Sequence, residues 1–104
     1  MVVPTPGLDG VVRAAIDSAV VLDGTKLEVR FYSGVEDCYG VERVDVEESD
    51  AEVTVSVFTG SRPEARDLAC IEIAELVAVV VTLDAPLGDR ALVDGSSGAS
   101  VSVG

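Results

Sequence analysis

The chain has 104 residues, 48% hydrophobic and 25% charged, which is the composition of one globular domain and excludes a wholly disordered segment. Asp and Glu number 19 against 7 Lys and Arg, a formal net charge of -12. That excess removes the attraction on which nucleic-acid binding depends and disfavours anionic membrane surfaces.

Met1 is followed by Val2, Val3, Pro4, Thr5, Pro6 and Gly7, and residues 1–13 are expected to form a semi-rigid, extended spacer. This start lacks the basic, apolar and small-residue order of a secretory signal. It fits either a cytosolic chain or a mature form whose export segment has been removed. A single β domain is expected over residues 14–95.

Valine makes up about a fifth of the chain, a tilt towards strands. Ala19-Val20-Val21-Leu22 and the alternating Lys26-Leu27-Glu28-Val29-Arg30-Phe31 flank Asp23-Gly24, which reads as a hairpin. Val44-Asp45-Val46-Glu47 and Val53-Thr54-Val55-Ser56-Val57 alternate in the same way around the turn Glu48-Ser49-Asp50-Ala51. By pleat geometry Glu28, Asp45, Glu47 and Glu72 are expected to face solvent.

Ser61 and Glu64 have the form of a capping box, so a helical turn is expected near residues 63–67. Cys70-Ile71-Glu72-Ile73 and the β-branched Val77 to Leu83 then read as strand material with an irregularity near Ala74 to Leu76. Asp84 to Asp89 is a turn by composition, and Arg90 to Val93 a short last strand. The sum is an all-β fold, an antiparallel, immunoglobulin-like β-sandwich of six to seven short strands. The alternative is an α+β fold with one helix drawn from Pro63 to Val80. Residues 96–104 are expected to be a flexible tail. The apolar run from Leu76 to Leu83 is too short to cross a bilayer, so no transmembrane segment is expected.

The two cysteines, Cys38 and Cys70, are too far apart for a thioredoxin-like motif, and without histidine they make a poor zinc site. A disulfide and a pair of buried free thiols both remain open. The even count, the small β domain and the spacer-like start favour the disulfide and an oxidising compartment.

Without histidine the Ser-His-Asp and Cys-His arrangements are impossible. Gly24, Gly34 and Gly40 stand singly, so there is no phosphate-binding loop and no cofactor is expected. Paired carboxylates of the glycosidase kind are the only acid–base chemistry left. Most acids alternate with core residues, and no enzyme is expected. Glu47, Glu48, Asp50 and Glu52 crowd one hairpin end, but their spacing matches no calcium loop and solubility is the simpler reading. The segment from Tyr32 to Gly40 holds both tyrosines, and Tyr32, Glu36, Asp37 and Tyr39 are its candidate binding residues. The plainer reading is that the tyrosines pack over the sheet edge.

Gly34-Val35-Glu36-Asp37-Cys38-Tyr39, followed by Val41-Glu42-Arg43-Val44-Asp45-Val46-Glu47, resembles small exported, lipoprotein-type domains of actinobacteria. So do Ala69-Cys70-Ile71-Glu72-Ile73-Ala74 and Val81 to Arg90 with Val93-Asp94-Gly95, and the likeness runs from about Asp23 to Gly95. It implies an extracytoplasmic, secreted or membrane-anchored domain with a lipid anchor upstream of this chain. It carries no activity. The function expected is a non-catalytic binding or structural module of the cell envelope, with an envelope or protein partner. A cytosolic acidic domain with free thiols and a basic protein partner is the alternative, and a carboxylate-based hydrolase the more distant one.

Overall fold

The computed structural model describes residues 1–104. Eight strands follow one another along the chain: β1 (Asp9–Ala14), β2 (Ile16–Asp23), β3 (Lys26–Ser33), β4 (Tyr39–Glu48), β5 (Glu52–Ser61), β6 (Glu75–Thr82), β7 (Ala91–Asp94) and β8 (Ser102–Val103). A single 3-10 turn, Pro63–Ala65, lies between β5 and β6. One sheet joins β1, β5 and β4, with β7 parallel to β5; the other runs β6-β3-β2-β8. The α+β alternative is not adopted. This is an all-β sandwich.

Alternation decides which faces meet. Along β3 Leu27, Val29 and Phe31 point inward, and along β5 Val53, Val55 and Val57 do the same, all fully buried. Val41 from β4 and Val79 from β6 complete the centre. Each such side chain contributes roughly 1.5–3 kcal/mol by leaving water, which makes this cluster the main support of the fold. The hairpins at Asp23-Gly24 and at Ser49 to Ala51 both form, the first without the positive φ at Gly24 that an Asp-Gly turn can take. The chain changes sheets at Ala15: Ala14 lies opposite Val57 in one sheet and Ile16 opposite Phe31 in the other.

Three expectations are corrected. Residues 9–13 are not spacer but most of β1, and the segment before them is tied to both sheets. Val2 donates its N–H to the Ala78 carbonyl and Thr5 to that of Val41, each at 2.8 Å, so the start of the chain straps β6 to β4. Residues 96–104 are not a loose tail. Ser97 and Gly98 donate to the Asp94 carbonyl in a turn that sends Val101 back into the core, and β8 then pairs with β2. Gly and Ser serve here as a chain reversal, because burying Val101 outweighs ordering a few small residues.

The third correction concerns residues 68–74. Despite the alternation of Cys70 to Ile73, no strand forms before Glu75. The physical reason lies in the partner. Glu75 is opposite Ser33, the last residue of β3, so anything earlier has no ladder to join. The strand count is accordingly made up at the two chain ends.

Candidate functional site

The loop from Gly34 to Cys38 caps one end of the sandwich. Cys38 and Tyr39 both donate backbone N–H groups to the Val35 carbonyl, at 3.1 and 3.0 Å, which folds the loop into a tight turn. Arg62 fixes it from outside: its Nε donates to the Glu36 carbonyl at 2.7 Å and its backbone N–H to the Cys38 carbonyl at 2.7 Å. Gly34 is required here, because a β-carbon at this position would collide with the Tyr39 ring that lies across it.

Cys38 and Cys70 form a disulfide, with Cα atoms 6.2 Å apart. Cys38 is buried and Cys70 half-buried, so the bridge pins an outer segment to an inner anchor. That segment has little else to hold it. Ala65 is buried and accepts the Leu68 N–H, but no backbone hydrogen bond forms between Ala69 and Ala74. By chain entropy, closing a loop of this separation is worth roughly 3.5–4 kcal/mol.

The pinned segment turns its apolar side chains outward. Ile71 is 67% exposed, and Leu68, Ile73 and Leu76 are each more than half exposed. Tyr32, 54% exposed, stands opposite Leu76 across the β3–β6 pairing and continues the same surface. Glu36, Asp37, Glu64, Asp67, Glu72 and Glu75, in the same segments and next to them along the chain, are all exposed. None of them is in an ion pair; the four pairs present are Arg30–Glu28, Arg43–Asp45, Arg66–Asp9 and Arg90–Glu48. This end of the molecule therefore exposes apolar side chains among more acids than bases, with Arg62 and Arg66 beside Leu68 and Cys70. A shallow cleft of about 260 Å³ lies between the two loops, lined by Val35, Asp37, Leu68 and Ile71 beside the bridge.

The four candidate binding residues thus divide. Tyr32, Glu36 and Asp37 face solvent, whereas Tyr39 folds back over Gly34 and is half-buried. Leu68, Ile71 and Ile73 are not among the candidates the sequence offers, the two isoleucines because their alternation predicts a strand. The available signal was the end of β3 at Gly34, which leaves them without a neighbour.

The carboxylates expected outward at Asp45, Glu47 and Glu72 are exposed, the last on the loop rather than on a strand. Glu28 is partly covered and paired with Arg30 at 2.7 Å. At the other end of the sandwich Glu48 turns towards Arg90, 3.1 Å away, and accepts the Asp84 N–H at 2.8 Å. Arg90 also donates to the carbonyls of Ser49, Ala85, Pro86 and Leu87, so it fastens the turn after β6 to the β4–β5 hairpin. The Asp84 hydrogen bond lowers the Glu48 pKa against the opposing effect of burial, with Arg90 adding to the lowering. A general acid needs the opposite shift. No three acidic or thiol side chains converge as a metal-ligating group.

No family model, curated protein or solved structure matches this chain. No helix is long and apolar enough to cross a membrane.

Proposed function

We propose that this chain is a non-catalytic, extracytoplasmic binding domain whose contact surface is the disulfide end of the sandwich. The observation that carries this reading is the pinned segment itself. It has no backbone hydrogen bonds from Ala69 to Ala74, it presents Leu68, Ile71 and Ile73 to water, and a covalent bridge holds it in place. Isolated exposed hydrophobes are ordinary, but a contiguous set on one restrained loop is what a protein contact surface requires. A restrained loop also loses less entropy on binding than a free one.

The excess of exposed, unpaired acids in these segments favours a partner with an apolar patch and lysine or arginine near it. The bridge supports an oxidising location, in line with the resemblance to exported domains. The test is thiol trapping in intact cells, followed by intact mass with and without reduction. No label before reduction and two after it is the expected result. Two labels without reduction would remove the extracytoplasmic reading and leave a cytosolic acidic domain in its place.

A further inference from the structure

With 19 acids to 7 bases, no arginine in this chain goes unpaired for want of a carboxylate. Arg30, Arg43, Arg66 and Arg90 are each in an ion pair. Of the other bases, Arg13 and Lys26 are exposed, whereas Arg62 is half-buried and still has no carboxylate partner. Its Nε donates to the Glu36 carbonyl at 2.7 Å. Its guanidinium lies against Gly40, where a β-carbon would come within 3.2 Å of Nη2. Fastening the loop thus uses one guanidinium donor, and those on Nη1 and Nη2 are held in place without an acceptor in the chain.

Arg62 lines a cleft of about 390 Å³ between the 3-10 turn and the ends of β1, β4 and β5. Asp9, the one acid in its wall, is already joined to Arg66 at 2.7 Å, so the charge of Arg62 is left over. Ser61 adds a hydroxyl, while Ala65, Leu68 and the Cys38–Cys70 bridge supply apolar surface. In the two other concavities of this size or larger, charged side chains do not leave a base in excess. One has Glu28 and Glu36 against Arg30, and the other has Glu42 against Arg43.

We infer that this cleft binds a carboxylate carried on an apolar group, with Arg62 donating to the carboxylate and Leu68 and the bridge covering the apolar part. A planar guanidinium matches a carboxylate in a way that a single ammonium does not, and one already held in place loses less entropy on binding. The exposed acids nearby work against a bare anion such as acetate, so the apolar part has to contribute. Such a group comes either as a free carboxylic acid or as the C-terminal residue of a polypeptide. The inference rests on the reading of the disulfide end as a contact surface, and names one group that a ligand places there.

The experiment titrates the full oxidised chain, ¹⁵N-labelled, with N-acetyl-leucine, its C-terminal amide, and acetylated Val-Thr-Val-Leu with a free carboxylate. The Nε–H of Arg62, retained on the Glu36 carbonyl, provides a resonance at the site itself. N-acetyl-leucine is expected to shift that resonance together with the Leu68 amide, and the uncharged amide to bind about tenfold more weakly. Arg62→Gln should cost about tenfold in affinity and Arg62→Lys less, since it keeps the charge without the fork. Arg13→Gln, an exposed arginine over Phe58, should leave binding unchanged. Tighter binding of the longer peptide assigns the cleft to a protein C-terminus, and equal binding to a small acid; both uphold the site. No movement of the Arg62 resonance, or equal binding of acid and amide, would overturn it. So would an Arg62→Gln chain that binds normally. If that variant does not fold, the comparison of acid with amide on the unmodified chain decides. Shifts confined to Leu68, Ile71 and Ile73 would overturn the carboxylate site while leaving the pinned loop as an apolar contact surface.

Discussion

The carboxylate of Asp94 accepts the backbone N–H of Ile16 at 3.0 Å, joining the end of β7 to the point where the chain passes from one sheet to the other. Its second oxygen accepts the Ser96 N–H at 2.8 Å and so begins the turn that returns Val101 to the core. Asp94 is the one buried charged side chain in the molecule, and both of its oxygens have partners. Asp94→Ala leaves two backbone donors without an acceptor and should cost roughly 2–4 kcal/mol in urea unfolding. Asp94→Asn keeps one acceptor oxygen and is expected to lose about half as much.

The bridge and the pinned segment should come apart together. Reduction, or the double substitution Cys38→Ser with Cys70→Ser, is expected to lower stability by up to roughly 3.5–4 kcal/mol while the two sheets persist. The local consequence is sharper than the global one. A glutamate-specific protease should cut the reduced chain first after Glu72, in the stretch without backbone hydrogen bonds, and leave the oxidised chain intact there. Equal cleavage of both forms would show that the bridge is not what restrains the segment.

The two tyrosines predict opposite phenotypes. Tyr39→Ala removes the ring that covers Gly34 and should destabilise the fold by roughly 2–4 kcal/mol. Tyr39→Phe should be close to neutral, since no hydrogen bond engages the hydroxyl in the fold. Tyr32→Ala, at an exposed site, should change stability by no more than about 0.5 kcal/mol and act on partner binding alone. Melting curves of the three variants separate a packing role from a contact role.

Glu48 gives stability an acid dependence of known sign. Its pKa in the folded chain lies below the ordinary 4.5, first because of the Asp84 N–H. Folding therefore favours its ionised form. The contribution is fully present above pH 4.5 and is lost as pH falls through the lower folded value. Urea unfolding of the native chain and of Glu48→Gln, measured from neutral to acid pH, should show a stability difference that is constant near neutrality and shrinks below 4.5.

Val101→Ala tests whether the last residues belong to the domain. The side chain is buried among the core residues, and its loss should cost roughly 1–3 kcal/mol. A change within about 0.5 kcal/mol would return residues 96–104 to the status of a tail.

Much of the architecture was legible because it depends on local pattern. The alternation of Leu27, Val29 and Phe31 and of Val53, Val55 and Val57 needs only the period of two to be read as inward faces. Asp23-Gly24 needs only its turn preference to be read as a hairpin. The cysteine count, the absence of histidine and the excess of acid are likewise properties of the chain as written, and they set the chemistry that is available. What only the tertiary structure decided are the pairings between distant segments. Ile71 and Ile73 carry a strand pattern but end in water, because β3 stops before it can reach them and Cys70 is drawn to Cys38 instead. Val2 and Val101 sit in stretches rich in proline, glycine and serine, yet one straps the sheets together and the other fills the core. A strand is a relation between two segments, so the sequence can state a willingness to pair while the fold alone determines whether a partner is within reach.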